Sequence, residues 1–162
     1  MLPAGTKFLV VEGLRPLALQ QEYFRRHVRK LSQLHPEWSP PKLEIEASKF
    51  VAPPENVPPH TTGAAVDLTL VHKMCELDMG TAVNDDPEAS AGACFTYSRK
   101  LSRTAKKNRE LLIAVLSDAG FVNYPTEWWH WSYGDRYWAW RTRQPFAIYG
   151  PVSEPHETLI AA

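Results

Sequence analysis

The chain is short of cysteine, of net charge and of long apolar runs, and each shortage removes a class of function. Only two of its 162 residues are cysteines, Cys75 and Cys94, and neither belongs to a CxxC pair, so cysteine-ligated metal and thioredoxin-type chemistry lack their ligands. The plain expectation is a pair of reduced thiols in a cytoplasmic protein. Lysine plus arginine and aspartate plus glutamate both number 18. No overall field therefore gathers nucleic acid, acidic lipid or a polyanionic substrate, and charge recognition has to be local. No stretch reaches the ~18 apolar residues that a membrane span takes. Residues 1–12 carry one lysine and a short apolar run with Val10 and Val11, without the long apolar region and cleavage site of a leader. The expectation is an unexported protein, with a periplasmic one as the alternative if the natural start lies upstream. There are no repeats or linkers, and a chain of this length forms one domain, 1–162, that buries roughly two thirds of its unfolded surface.

What the chain does have is a series of well-marked elements. Residues 7–12 (KFLVVE) are β-prone and end in Gly13-Leu14-Arg15-Pro16, where Pro16 suits a first helical position. From 17 to 34, Leu17, Phe24, Val28, Leu31 and Leu34 recur at helical spacing, with Gln20, Gln21, Arg25, Arg26, Arg29 and Lys30 between them. That pattern predicts an amphipathic helix of about five turns. Ser39-Pro40-Pro41 opens a short helix through Leu43, Ala47 and Phe50, although Leu43, Ile45 and Ala47 also alternate as a strand would. Residues 51–59 hold four of the fourteen prolines and read as extended loop. Residues 64–71 alternate, setting Asp67 on the face opposite Val66 and Leu68. Residues 76–92 are polar, acidic and loop-like. Residues 102–119 return to helical periodicity through Ala105, Leu112, Val115, Leu116 and Ala119, with Arg103, Lys106, Lys107 and Arg109 outward and Gly120 as the stop. Residues 121–124 and 128–141 read as strands around a turn at Gly134-Asp135, and the tail from Ser153 as loose.

Two segments carry chemistry. His60 and Asp67 flank Gly63, and Glu127-Trp128-Trp129-His130 lies in the most aromatic part of the chain. Two imidazoles and one carboxylate as ligands, with a second carboxylate as base, are the inventory of a catalytic zinc site that keeps its fourth position open. Each piece also has a plainer reading. A histidine beside an aspartate is commonly a surface or core pair. Trp128, Trp129 and Trp131 serve equally as core and edge aromatics. On an ideal strand Glu127 and His130 face opposite sides, so a shared site requires a turn or bulge between them. His27, His35, His72 and His156 receive no role.

The motifs taken together narrow the choice. G-L-R-P at residues 13–16, H-T-T-G-A-A-V-D-L-T-L at 60–70, M-G-T at 79–81 and E-W-W-H-W-S-Y-G at 127–134 resemble the bacterial D-alanyl-D-alanine dipeptidases, zinc enzymes related in fold to the D,D-carboxypeptidases of the same clan. The resemblance covers most of the chain, in order, from the first strand to about residue 141. It implies an α+β fold, an antiparallel sheet flanked by helices, with a single Zn2+ per chain in a cleft. It implies His60, Asp67 and His130 as the zinc ligands, Glu127 as the catalytic base, Arg15 as the group that stabilises the transition state, and a small D,D-dipeptide as substrate. Nucleic acid and membrane are not expected partners.

Departures from the family pattern bear on substrate choice. Pro58 stands where the family usually has a serine that helps hold substrate. The family's M-G-T-x-F-D has Asn84 at its aspartate here, with Asp85 and Asp86 following. Asp85 is the candidate partner for the dipeptide's amine if the loop shifts by one residue. Relatives also carry sequence ahead of the first strand that helps wall the pocket. Two alternatives stay open: a D,D-carboxypeptidase or endopeptidase on peptidoglycan stem peptides, and a non-catalytic zinc-binding remnant of the fold.

Overall fold

Strand β2 (Ala65–His72) is the element on which the others assemble in the computed structural model, which describes residues 1–152. Along one edge it pairs antiparallel with β1 (Thr6–Glu12), from Thr6 opposite His72 to Val10 opposite Leu68; the register then slips, so that Glu12 faces Asp67. Along the other edge its first half pairs with β5 (His130–Ser132) and its last two residues with β3 (Cys75–Glu76). Strand β4 (Val122–Asn123) lies outside β5, giving the order β1-β2-β5-β4. Among the described residues four helices complete an α+β fold: α1 (Leu17–Leu34), α2 (Pro40–Ala47), α3 (Arg103–Asp118) and α4 (Arg136–Thr142). The expected antiparallel sheet with flanking helices is what forms. No described helix is long and apolar enough to cross a membrane.

The core follows from the alternation of β2. Leu68 and Leu70 join Leu112 and Leu116 of α3 and Trp128, Trp129 and Trp131 in one buried cluster. Helix α3 starts where the Ser102 hydroxyl accepts the Ala105 N–H at 3.0 Å and stops before Gly120, whose φ of +86° no side-chain-bearing residue adopts easily.

Several expectations need correction. Residues 136–142 are helix, not strand. Their aromatic content is β-prone, but Asp135 accepts the Trp138 N–H at 2.6 Å and so caps a helix directly after the turn. Glu76, placed at the start of a loop, pairs instead with β2 and forms β3 together with Cys75. Pro16 sits just outside α1, in a non-helical conformation, and leaves Leu17 as the first helical residue. Residues 51–59 are not simply extended: two single 3-10 turns, Pro54–Asn56 and Pro59–Thr62, each open on a proline whose fixed φ suits a first helical position. In α1 the one buried residue is Gln20, while Leu17 and Leu34 are exposed. The tail from Ser153, with His156, lies outside the described residues.

Arg109 departs furthest from expectation. Expected outward, it is 2% exposed, because positions 105, 109, 112 and 116 share one face of α3. No carboxylate meets it. Its guanidinium donates instead to the carbonyls of Met79 (2.7 Å), Phe95 (2.7 Å) and Ala93 (2.9 Å), and lies 5.4 Å from the Trp128 ring centre. Burial pulls its pKa down to about 10, still charged at neutral pH. The arginine thereby pins the segment that holds M-G-T to α3. Within that motif, a Cβ on Gly80 would fall 2.7 Å from Leu101, and Thr81 accepts the Trp128 indole N–H at 2.9 Å. Replacing Arg109 with methionine keeps the apolar stem but strands three carbonyls, that of Met79 buried and those of Phe95 and Ala93 partly so. We expect it to lower unfolding stability by about 3 kcal/mol, read as a shift of the urea midpoint at constant slope. A loss below about 1 kcal/mol would show that the segment is held by something else.

Candidate metal centre

The register of two short strands makes the first contact of the site. Because Asp67 lies opposite His130 in the β2–β5 pair, the His130 Nδ1 and the Asp67 Oδ1 meet at 3.0 Å. The 3-10 turn of Pro59–Thr62, closed by Gly63 at a φ of +69°, swings His60 in from the other side. Its Nε2 is 3.3 Å from the same Asp67 oxygen and 3.1 Å from His130 Nδ1. All three residues are buried, and among the described residues they form the group of His, Cys, Asp and Glu that could hold a metal ion.

The hydrogen bonds behind the cluster decide which atoms face inward. His60 Nδ1 lies 2.9 Å from the Gly13 carbonyl, an acceptor only, so Nδ1 carries the proton and Nε2 presents a lone pair. His130 Nε2 turns outward to the Ser132 hydroxyl at 3.4 Å. Two ring nitrogens and a carboxylate oxygen at such separations repel one another unless a proton or a cation sits among them. A tetrahedral zinc with bonds of ~2.0–2.1 Å holds its ligand atoms ~3.3–3.4 Å apart. Separations of 3.0, 3.1 and 3.3 Å and an N,N,O donor set fit such an ion.

The electrostatics agree. Burial alone would raise Asp67, but hydrogen bonds from His130 and His60 hold it well below the usual carboxylate range. Burial alone would lower His130. The hydrogen bond to Asp67 and the charges of Glu127, Asp67 and Asp135 push it above an ordinary imidazole. Glu127 goes up, first by burial and then by the charge of Asp67, against the pull of His130, His60 and Arg15. Its Oε2 stands 3.8 Å from His130 Nδ1.

Glu127 reaches the site because it is not on the strand. Its N–H bonds the Tyr124 carbonyl (2.9 Å) and its own carbonyl accepts the His130 N–H (3.2 Å), a turn that delivers the chain into β5. Asn123 builds that turn. Its amide donates to the carbonyls of Glu127 and His130, both at 3.0 Å, and its oxygen accepts the Thr96 hydroxyl at 2.6 Å. Sequence reasoning required a turn here but did not find Asn123; a polar residue in the otherwise β-prone FVNY was its signal.

Arg15 is tied to the ligand turn by backbone: its N–H donates to the His60 carbonyl at 3.0 Å. Its side chain pairs with Glu12, Nε to Oε1 at 2.6 Å, and donates Nη1 to Gln20 Oε1 at 2.6 Å. Burial alone would lower its pKa; the Glu12 hydrogen bond and the charges of Glu12 and Asp67 turn the net shift upward. The structure thus gathers His60, Asp67, His130 and Glu127, with Arg15 close enough to Asp67 and Glu127 to feel their charge. Asp85 is not in the cluster. Its carboxylate accepts the Ala82 N–H at 3.0 Å, in a turn where Asn84 takes a φ of +65°. Pro58 is buried, and its carbonyl accepts both the N–H (3.0 Å) and the hydroxyl (2.7 Å) of Thr61.

Comparison with known proteins gives a consistent pattern. A peptidase family described as D-ala-D-ala dipeptidase matches residues 2–148. A D-alanyl-D-alanine dipeptidase of Synechocystis is 33% identical over 175 aligned residues, which cover 90% of this chain and 69% of that protein. One of Enterococcus faecalis is 29% identical, covering 78% of this chain and 62% of its own length. Among solved structures, a vancomycin resistance D,D-pentapeptidase in complex with Zn(II) is similar at a TM-score of 0.49 and 18% identity, over 89% of this chain and 70% of that one.

The raised His130 makes cation binding pH-dependent in a stated direction. A ligating imidazole must be neutral, so a proton competes below the folded-state pKa, and that value lies above the 6.5 of an ordinary histidine. Zn2+ affinity is therefore full above that value and falls as pH drops through it, by about tenfold per unit. Titrations in two buffers of different ionisation enthalpy should show a proton released on binding near pH 7. Flat affinity from about pH 8 to about pH 6, with no proton release, would show that no proton occupies the cluster.

Proposed function

The chain belongs to the D-alanyl-D-alanine dipeptidase family of peptidases, and from that premise we propose that it hydrolyses D-alanyl-D-alanine with one zinc ion held by His60, Asp67 and His130. The observation that carries the reading is the convergence of three donor atoms, within 4.8 Å of one another, in a buried space only a cation or proton can reconcile. When bound, zinc supplies Lewis acidity for the scissile carbonyl and lowers the pKa of its water toward ~7. Glu127, beside the ligands and raised by burial, takes the proton from the attacking water and delivers it to the leaving amine. Arg15 faces the oxyanion that develops on the carbonyl; removing such a donor typically costs ~10²–10³ in rate.

Three of the five guanidinium N–H groups of Arg15 are spent on Glu12 and Gln20, which leaves two for substrate. Asp85 is the proposed partner of the substrate's free amine, a role in which its carboxylate shares or releases the bond to Ala82. We place the protein in a reducing compartment, a reading supported by its free thiols, exposed Cys75 and buried Cys94.

Glu127→Ala is expected to keep one zinc per chain while hydrolysis falls by about 10³ or more, whereas His130→Ala loses both metal and hydrolysis. The measurement is zinc content by atomic absorption alongside release of D-alanine. Undiminished turnover in a zinc-replete Glu127→Ala would remove Glu127 as base. Run on D-Ala-D-Ala, L-Ala-L-Ala and a pentapeptide ending in D-Ala-D-Ala, the same assay is expected to favour the first. Preference for the pentapeptide would make the protein a D,D-carboxypeptidase of peptidoglycan stems.

A further inference from the structure

Gln20 is the one buried residue of α1, only 1% exposed, on a helix whose outward leucines lie in solvent. A fully buried amide on a helix otherwise docked by half-buried apolar groups has to be hydrogen-bonded, and it is, at both ends. Its Oε1 accepts Arg15 Nη1 at 2.6 Å and its Nε2 donates to the Ala52 carbonyl at 2.7 Å. One turn further along the same face, the Tyr23 ring lies under the guanidinium, 5.0 Å from Cζ. Glu12 closes the remaining side. Arg15 is thus held in a cradle made of the end of β1 and the first turns of α1.

We infer that Gln20 is a positioning residue for the reaction: it orients Arg15 by binding Nη1, and it fixes its own reach by bonding the loop that leads to His60. The inference rests on the reading of Arg15 as the group that meets the developing oxyanion. The type of residue matters as well as its place. Glu12 already offsets one unit of the guanidinium's charge, and a second carboxylate would offset more of what is available to the substrate. A neutral amide oxygen directs the N–H without that loss, and its second bond, to a backbone carbonyl, keeps the amide from flipping to present its NH2 to the arginine. Side chains of glutamine's length and shape either lack the acceptor, as methionine does, or bring charge, as glutamate does. The geometry also couples the site to α1: Gln20 and Tyr23 share one helical face, so the orientation of the guanidinium follows that helix.

The test is a double-mutant cycle on the zinc-loaded protein with D-Ala-D-Ala as substrate. Gln20→Met, close in volume and helix propensity, is expected to lower kcat/KM about tenfold with zinc content unchanged, and to divide that loss between kcat and KM as Arg15→Ala divides its larger one. In the Arg15→Ala background, Gln20→Met is expected to have no further effect. Equal losses from Gln20→Met in both backgrounds, as a merely structural role would give, overturn the inference while leaving Arg15's role intact. Full turnover in Arg15→Ala alone overturns the reading of the arginine itself, and this inference with it. Gln20→Glu, which keeps an acceptor for Arg15, carries the same cycle if the methionine variant does not fold: loss only where Arg15 is present supports the inference, and equal loss in both backgrounds overturns it.

Discussion

A buried carboxylate oxygen lies 3.0 and 3.3 Å from two imidazole nitrogens that are themselves 3.1 Å apart, and this contact governs the structure. Desolvating an ionised carboxylate costs several kcal/mol, offset only by good partners. Here the nearest partners are lone pairs unless a cation or a proton joins them. The arrangement is stable with positive charge at its centre, which is why the Asp67 carboxyl is held below the usual carboxylate range and the His130 imidazole is pushed up. The sheet exists in the form needed to impose this. Asp67 and His130 are register partners, so a one-residue slip of β5 would turn His130 to the opposite face.

The slip that does occur, on the other edge of β2, brings Glu12 opposite Asp67 and turns the chain out at Gly13. There the two segments interlock: the Gly13 carbonyl receives the His60 ring N–H, and the His60 carbonyl receives the Arg15 N–H. A ligand and the cation beside it are thus joined through main-chain atoms and cannot shift independently. The strands hold Asp67 and His130 of the candidate centre, while turns present His60, Glu127 and Arg15. Each turn is stiffened by hydrogen bonds: the Thr61 hydroxyl to Pro58, Asn123 to the turn after Tyr124, Gln20 to Arg15. Thr61 and Gln20 are buried and Asn123 half-buried, and all three are satisfied, the condition under which a polar network adds order rather than a penalty.

Legibility in the sequence tracks how local the deciding interaction is. Helices α1 and α3 were readable because periodicity runs through both and Gly120 stops α3, while Pro16 and Ser102, expected inside them, stand just outside as caps. Helix α4 was not, since its seven residues include Tyr137, Trp138 and Trp140 and only the Asp135 side chain outweighs their strand preference. Arg109 had the right period for burial, yet a charge normally argues against it; three carbonyls contributed by residues 79, 93 and 95 decide the matter, and no local rule names them. The same holds at the site. Residue types and the family resemblance named His60, Asp67, Glu127 and His130, which the fold brings together. The turn that lets Glu127 and His130 face one another depends on Asn123 and its bond to Thr96, 27 positions away, and Gln20 looked like one more polar residue on a solvated face.

The departures from the family pattern leave the donor side chains of the candidate centre together. Pro58 lacks a hydroxyl, but its carbonyl closes the His60 turn on Thr61, so this position still shapes that turn. Asn84 occupies a left-handed conformation that asparagine tolerates better than most residues, and the aspartate after it caps that same turn through Ala82. At both positions the local backbone requirement is met. Since Asp67 and His130 are placed by strand register and His60 by its bonds to the Gly13 carbonyl and the Arg15 N–H, the three donor atoms of the candidate centre converge with proline at 58 and asparagine at 84.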